Sequence, residues 1–352
     1  MTDSESIFRI RDAISKLPLA GKTCIMPDYF VDRFLRIDSF DSLVESIRKK
    51  SQVSGGGSIR GINQFEVKGG NAVNLGYALA KFGASVNLIA IASDLPAEAL
   101  RSIFKSLPNS TLYVIDGKAG FTTAFEFEDG GRHVNVMISD AGDIQNFDGT
   151  LLSEKYWQAI FESRVIGVVN WAANKRGNDL CEIVFSSAKE KGLFTFFDPA
   201  DVSEQIGSIP EFKRRILDKR LIDSMSLNEN ETRLLCKTLC SYAFAQDYTP
   251  SELNRAALLL SDLAGARIDL HTRNQSISCA EREVVSVECH KVIQKTVTGA
   301  GDIWDAADIC GYLTNLSVED RLRFANAAAG LYVSEESANP PALDAVLDFL
   351  KN

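Results

Sequence analysis

A chain of 352 residues with 45% apolar and 24% charged side chains can bury a large core, which argues against disorder on a large scale. Its formal charge of −9 argues against a nucleic-acid-binding surface, so a polyanionic ligand must be held by local dipoles, metal and a few basic side chains. No segment approaches the roughly 20 apolar residues that span a bilayer, and the polar start Met-Thr-Asp-Ser-Glu-Ser has no signal core, so a cytoplasmic protein without a membrane partner is expected.

In chain order, residues 22–26 read as a strand ending at Pro27-Asp28, with Asp32 four residues beyond; two carboxylates near a strand end can bind hydroxyls. Residues 33–68 are less regular, and Gly55-Gly56-Gly57 is a flexible turn, so part of this region should be an inserted, mobile piece. Gly69-Gly70-Asn71-Ala72-Val73-Asn74 opens a helix of small and apolar residues over 75–82, closed by Gly83, and 85–92 reads as a buried strand. A helix over 97–106 and a strand over 111–115 repeat that unit. Residues 122–127 and 132–138, joined through Asp129-Gly130-Gly131, alternate as a hairpin and interrupt the α/β rhythm.

The rhythm returns after residue 150. Strands are predicted at 165–170, 193–197 (stopping at Asp198-Pro199), 225–227 and 267–271, with helices at 179–191, 210–218 and 251–264 between them and a β-rich segment to Val297. Such alternation implies a parallel sheet with helices on both faces and ligands at the carboxyl ends of its strands.

The run Thr298-Gly299-Ala300-Gly301-Asp302 then sets a glycine turn and a carboxylate at the start of a mostly apolar helix over 302–313. Glycines let consecutive N–H groups converge on an anion, and the helix adds the positive end of its dipole. Asp302 is placed to take a proton from a hydroxyl while the turn holds a phosphoryl group. A first-turn Asp after glycine also serves as a plain cap and turn.

Other chemistries are poorly supported. Seven cysteines show neither a Cys-x-x-Cys pair nor zinc-type spacing with the three histidines at 133, 271 and 290, so reduced structural thiols are expected. No Gly-x-Ser-x-Gly elbow accompanies a histidine, which leaves the catalytic burden on carboxylates. A nicotinamide-dependent dehydrogenase needs Gly-x-Gly-x-x-Gly after an early strand, and neither the 55–61 cluster nor Gly299-x-Gly301 completes it.

Three constellations at predicted strand ends, Gly69-Gly70 with Asn74, Asn228-Glu229-Asn230-Glu231, and Gly299-Ala300-Gly301-Asp302, together resemble the ribokinase-like (PfkB) carbohydrate kinase family over roughly residues 22–350. The resemblance implies a three-layer α/β/α core with a mostly parallel sheet, from 20–32, 69–116 and 140–352, and a small β-rich lid from 33–68 and 117–139. It implies an ATP-dependent kinase acting on a hydroxyl of a small sugar. Asp302 is then the base, with Gly299, Ala300 and Gly301 as the anion hole. Asn228 and Glu231 would help place Mg²⁺ and phosphate, Glu231 indirectly through phosphates and water; the same pair is also the pattern of a capping box. Gly69, Gly70, Asn74 and Asp32 would line the sugar pocket, with Thr123 or its neighbour Thr122 touching substrate from the lid.

Thr272, Arg273 and Asn326 would border the nucleotide, where Arg273-Asn274 replaces the usual glycine. Thr296-Val297 stands where the family has Asp-Thr, so potassium activation does not carry over, and Trp304 is read as packing. A homodimer paired through the lid is the partner the resemblance implies. A nucleoside kinase of the same fold is the nearest alternative reading, and a non-catalytic ligand-binding regulator is another.

Overall fold

The protein is described by a computed structural model over residues 3–130, 132–337 and 339–351. Nine strands form one large sheet: β1 (Lys22–Met26), β4 (Ser85–Ile91), β5 (Ser110–Ile115), β8 (Ser163–Val169), β9 (Phe194–Asp198), β10 (Ser224–Leu227), β11 (Arg267–His271), β12 (Gln275–Ala280) and β13 (Glu283–Glu288). Their spatial order is β13-β12-β11-β10-β9-β8-β1-β4-β5. All pairings from β5 to β11 are parallel, and β12 and β13 add antiparallel at one edge.

Successive side chains on a strand point to opposite faces, and here both faces are buried. Cys24 and Met26 of β1 join one apolar core and Ile25 the other; Ile166 and Val168 of β8 divide from Val165 and Val169 in the same way. One face carries α1 (Asp3–Ile14), α3 (Asn71–Lys81), α4 (Asp94–Phe104), α10 (Ala300–Leu313), α11 (Val318–Ser334) and α12 (Leu343–Phe349). The other carries α5 (Glu154–Phe161), α6 (Gly177–Glu190), the short α7 (Ile209–Phe212), α8 (Glu229–Leu239) and α9 (Pro250–Ala264). The core is therefore the expected three-layer α/β/α arrangement.

A second, four-stranded sheet has the order β3-β2-β6-β7, from β2 (Phe30–Arg36), β3 (Asn63–Gly69), β6 (Gly120–Asp129) and β7 (Arg132–Asp140). It takes in residues 30–32, which the sequence reading assigns to the core, because Phe30, Val31 and Asp32 pair with Gly69, Lys68 and Val67 and with Gly120, Phe121 and Thr122. Residue 131 of the hairpin turn lies outside the described residues.

The region 33–68 is more regular than expected. It holds two strands and α2 (Phe40–Ser51), whose N-cap Ser39 accepts from the Ser42 N–H at 3.1 Å and whose last turn carries Arg48, Lys49 and Lys50. Phe40, Leu43, Val44 and Ile47 recur at helical spacing along it, although the helix buries no residue fully. Gly55 and Gly56 do form a turn at positive φ after it.

Candidate active site

Five neighbouring parallel strands deliver polar residues to one edge of the large sheet. Asp28 follows β1, Asn170 follows β8, Asp198 ends β9, Asn228 follows β10 and His271 ends β11. The chain builds outward in both directions from β1, with β4 on one side and β8 on the other, so the crevice lies at the point where the strand order reverses.

Asp28 anchors the substrate side. The N-cap of α3 is Gly70, which has no side chain to offer, and Asp28 takes that role from a distance. Its carboxylate accepts from the N–H groups of Asn71 (2.8 Å) and Ala72 (2.7 Å) and from Asn170 Nδ2 (2.8 Å). Gly70 sits at φ 90°, and a Cβ there would fall 2.9 Å from Asp28 Oδ2. At Gly69 a Cβ would lie 2.1 Å from Asp32 Oδ2, so only glycine leaves Asp32 its position. Burial, then the charge of Asp28, raises the Asp32 carboxyl to about 6 against a hydrogen bond from Thr122 that lowers it.

Thr123 does not stand beside Asp32. It pairs with Arg33 on β2, whereas Thr122 pairs with Asp32, and strand side chains alternate. Thr122 also shares a hydrogen bond with Ser139 of β7 at 3.0 Å.

The glycine turn leads into α10 as the sequence predicts. Gly299 is the N-cap at φ 84° with no side chain, so the first-turn N–H groups of Gly301 and Asp302 face the crevice without a cap. The turn is pinned by Tyr332, whose hydroxyl donates to the Thr298 carbonyl at 2.7 Å. His271 lies under it: a Cβ on Gly301 would meet His271 Cε1 at 3.1 Å, and burial depresses the imidazole to about 4, keeping it neutral.

Asp302 itself is buried, and its Oδ2 accepts from Asn74 Nδ2 at 3.1 Å. Burial first, then the nearby Asp198 charge, holds its carboxyl well above the ordinary range, while Asn74 works against both. Asp198 is raised to about 6 by burial, despite an N–H donated by Ala200 at 2.8 Å. Asp305, one turn further along α10, is fully buried on Ser226 Oγ at 2.5 Å, with its second oxygen unpartnered.

A cavity of about 550 Å³ opens beside this turn. Asn71, Asp198, Asn228, Glu231, Thr272, Arg273, Asn326 and Gly299 through Asp302 all border it. Asn228 and Glu231 form the full capping box of α8: Asn228 Oδ1 accepts from the N–H groups of Asn230 (2.9 Å) and Glu231 (3.0 Å), and Glu231 accepts from Asn228 N (2.8 Å) and Nδ2 (2.5 Å). The capping-box reading of this pair is thus met, and the cap holds Glu231 against the cavity wall. Asn326 borders the cavity, but its amide is committed to Trp304 Nε1 at 2.9 Å and to the carbonyls of Val287 and Glu288. Thr272 closes the turn to Gln275, and the Arg273 N–H donates to Glu229 at 2.8 Å. Lys68, Asn71, Asn170 and His271 also stand at the crevice and were missed; only Asn71, beside the glycine pair, carried a local signal.

The family model for prokaryotic ketohexokinase matches residues 29–352. The chain belongs to the prokaryotic ketohexokinase family. It is accordingly a carbohydrate kinase, a phosphotransferase with an alcohol group as acceptor, of the PfkB type. Among solved structures it is similar to ribokinase from Thermotoga maritima (19% identity, TM-score 0.71) and to ribokinase from Arabidopsis thaliana complexed with ribose and ATP (18%, 0.72); each match covers 94% of this chain and 99% of the other. Adenosine kinase from Sinorhizobium meliloti, at 20% identity and TM-score 0.71, covers the same shares. At these identities the likeness establishes the ribokinase fold alone. No curated protein matches the chain by sequence. Among the described residues no helix is long and apolar enough to cross a membrane.

Proposed function

We propose that this kinase transfers the γ-phosphoryl group of ATP to a hydroxyl of a ketohexose, with Asp302 as the base. One observation carries the reading: a buried carboxylate on the first turn of α10, with its pKa raised by burial, stands beside uncapped N–H groups that face a cavity of about 550 Å³.

The sugar would lie against Asp32, Gly69, Gly70, Asn74 and Thr122, with the small sheet as lid and Asp28 fixing α3 from behind. Asp302 takes the hydroxyl proton as the oxygen attacks the γ-phosphorus and the bond from that phosphorus to the β,γ-bridging oxygen breaks, releasing ADP. The Gly299–Gly301 turn then receives the equatorial oxygens, and neutral His271 supports the turn without adding charge. Thr272 and Arg273 would border the nucleotide, whereas Asn326 would shape the wall rather than bind.

The acidic oxygens of Asp198, Asp201 and Glu231 on that wall have the hard-donor chemistry that Mg²⁺ takes. Glu231 would act on the ion indirectly, through phosphate and water. When bound, Mg²⁺ would neutralise phosphate charge. Two copies would pair through the small sheet, whose edge strand β7 exposes Val136, Met137 and Ile138.

The test is ADP release with ATP and Mg²⁺ against fructose, ribose and adenosine. Turnover with fructose, reduced by roughly 10²–10⁴ in Asp302→Asn, is expected from loss of a general base. Faster turnover with adenosine or ribose, or an Asp302→Asn variant as active as wild type, would overturn the assignment.

A further inference from the structure

Lys68 is the penultimate residue of β3, and its side chain bends toward α3. The ammonium donates to Asn74 Oδ1 at 3.2 Å and lies 4.9 Å from the ring centre of Tyr77. Asn74 Nδ2 in turn donates to Asp302 Oδ2 at 3.1 Å. An amide has one accepting and one donating end, whereas an ammonium only donates. The lysine therefore decides which way the amide points: with Oδ1 on the ammonium, Nδ2 must meet the carboxylate. A flipped amide would set its oxygen against Asp302 and favour the protonated acid.

We propose that Lys68 is a positioning residue for the proton acceptor, acting through Asn74 to hold Asp302 ionised and oriented. This rests on the kinase reading above. Lys68 belongs to the small sheet, whereas Asn74 and Asp302 belong to helices of the core, so the contact also registers that sheet over α3 and α10. The surroundings of Asp302 give the contact its weight. Asp198 at the end of β9, Asp28 after β1 and Asp305 on α10 crowd the carboxylate with like charge, and Tyr332 of α11 stands near the turn. Lys68 opposes them, and burial lowers its own pKa only to about 8, so it is charged at neutral pH.

The test is the pH dependence of kcat for wild type, Lys68→Met and Lys68→Arg with fructose and ATP. In Lys68→Met the acid limb is expected to move up by about one pH unit, a roughly tenfold loss on that limb. Lys68→Arg, which also only donates, should restore it. A purely structural role would lower activity at every pH without moving the limb. Should Lys68→Met fail to fold, Lys68→Leu, which likewise cannot donate, serves as the second uncharged variant. An acid limb that superposes on wild type in the folded uncharged variants overturns the proposal. A wild type that transfers phosphate to no ketose sinks the kinase assignment instead, before any variant is compared.

Discussion

Thr122 and Thr123 are chemically identical neighbours, and only the register of β6 against β2 decides which of them meets Asp32. Their side chains project from opposite faces, so one step along the strand is a complete change of environment. Thr122→Val removes the donor to Asp32 and should raise the sugar KM by roughly 10- to 150-fold, the loss of one hydrogen bond to a charged group. Thr123→Val should leave it within about twofold, since Thr123 pairs beside Arg33. Steady-state kinetics on the two variants checks the pair, and equal effects would place the substrate elsewhere. Asp302, by contrast, needed no register: its position after two glycines at a helix start is a property of five consecutive residues.

At the scale of elements, α8 and α10 begin in opposite ways. The first turn of α8 is closed by Asn228 and Glu231, whereas α10 starts on a bare glycine. A capped end is stable, and an uncapped one facing a crevice has N–H groups to give to an anion. Asn228→Ala should therefore cost about 1–2 kcal/mol in urea unfolding, because it removes the cap and strips the Nδ2 donor from the buried Glu231. Only the Nδ2 contact is lost from the pair, as the Asn228 N–H survives; Asn228→Ser, which keeps a cap oxygen, should recover much of the cost. The element the sequence reading passed over, α2, has a good cap, a basic last turn and Phe40, Leu43, Val44 and Ile47 at helical spacing, so its signal was local and available although none of these side chains is fully buried.

Across the whole molecule, the crevice gathers Asp28, Asp32, Asp198, Glu231, Asp302 and Asp305, each raised above its ordinary pKa with burial as the leading cause. Carboxyls with raised folded-state values bind more protons folded than unfolded, so stability falls as pH rises from the unfolded value through the folded one. His271 and His290 are lowered by burial and act in the other direction, but below their ordinary value of 6.5. Asp269, depressed by Arg267 and Arg321 against its burial, matters only below 3.8. The ligand-free protein should therefore lose melting temperature as pH rises from about 5 through 6, where Asp32 and Asp198 titrate and six raised carboxyls outweigh two histidines. Asp302→Asn should melt higher than wild type at the upper end and show a shallower decline, at the expense of turnover. Calorimetry across that window is the check; a melting temperature that rises with pH in wild type would contradict the crowding.

The order of strands and helices, the apolar runs of the buried parallel strands and the Gly299–Asp302 turn were legible in the sequence, because each depends on residues that are neighbours in the chain. So were Gly69-Gly70 with Asn74 and Asn228 with Glu231, whose spacing fits a single helix turn. What joins them was not local. Asp28 capping a helix 43 and 44 residues away, Lys68 setting the amide that meets Asp302, and His271 beneath Gly301 arise only when parallel strands bring their ends to one edge. The pKa values of the crevice belong to the same class, since burial and mutual charge are properties of the assembled sheet and have no counterpart in the linear chain.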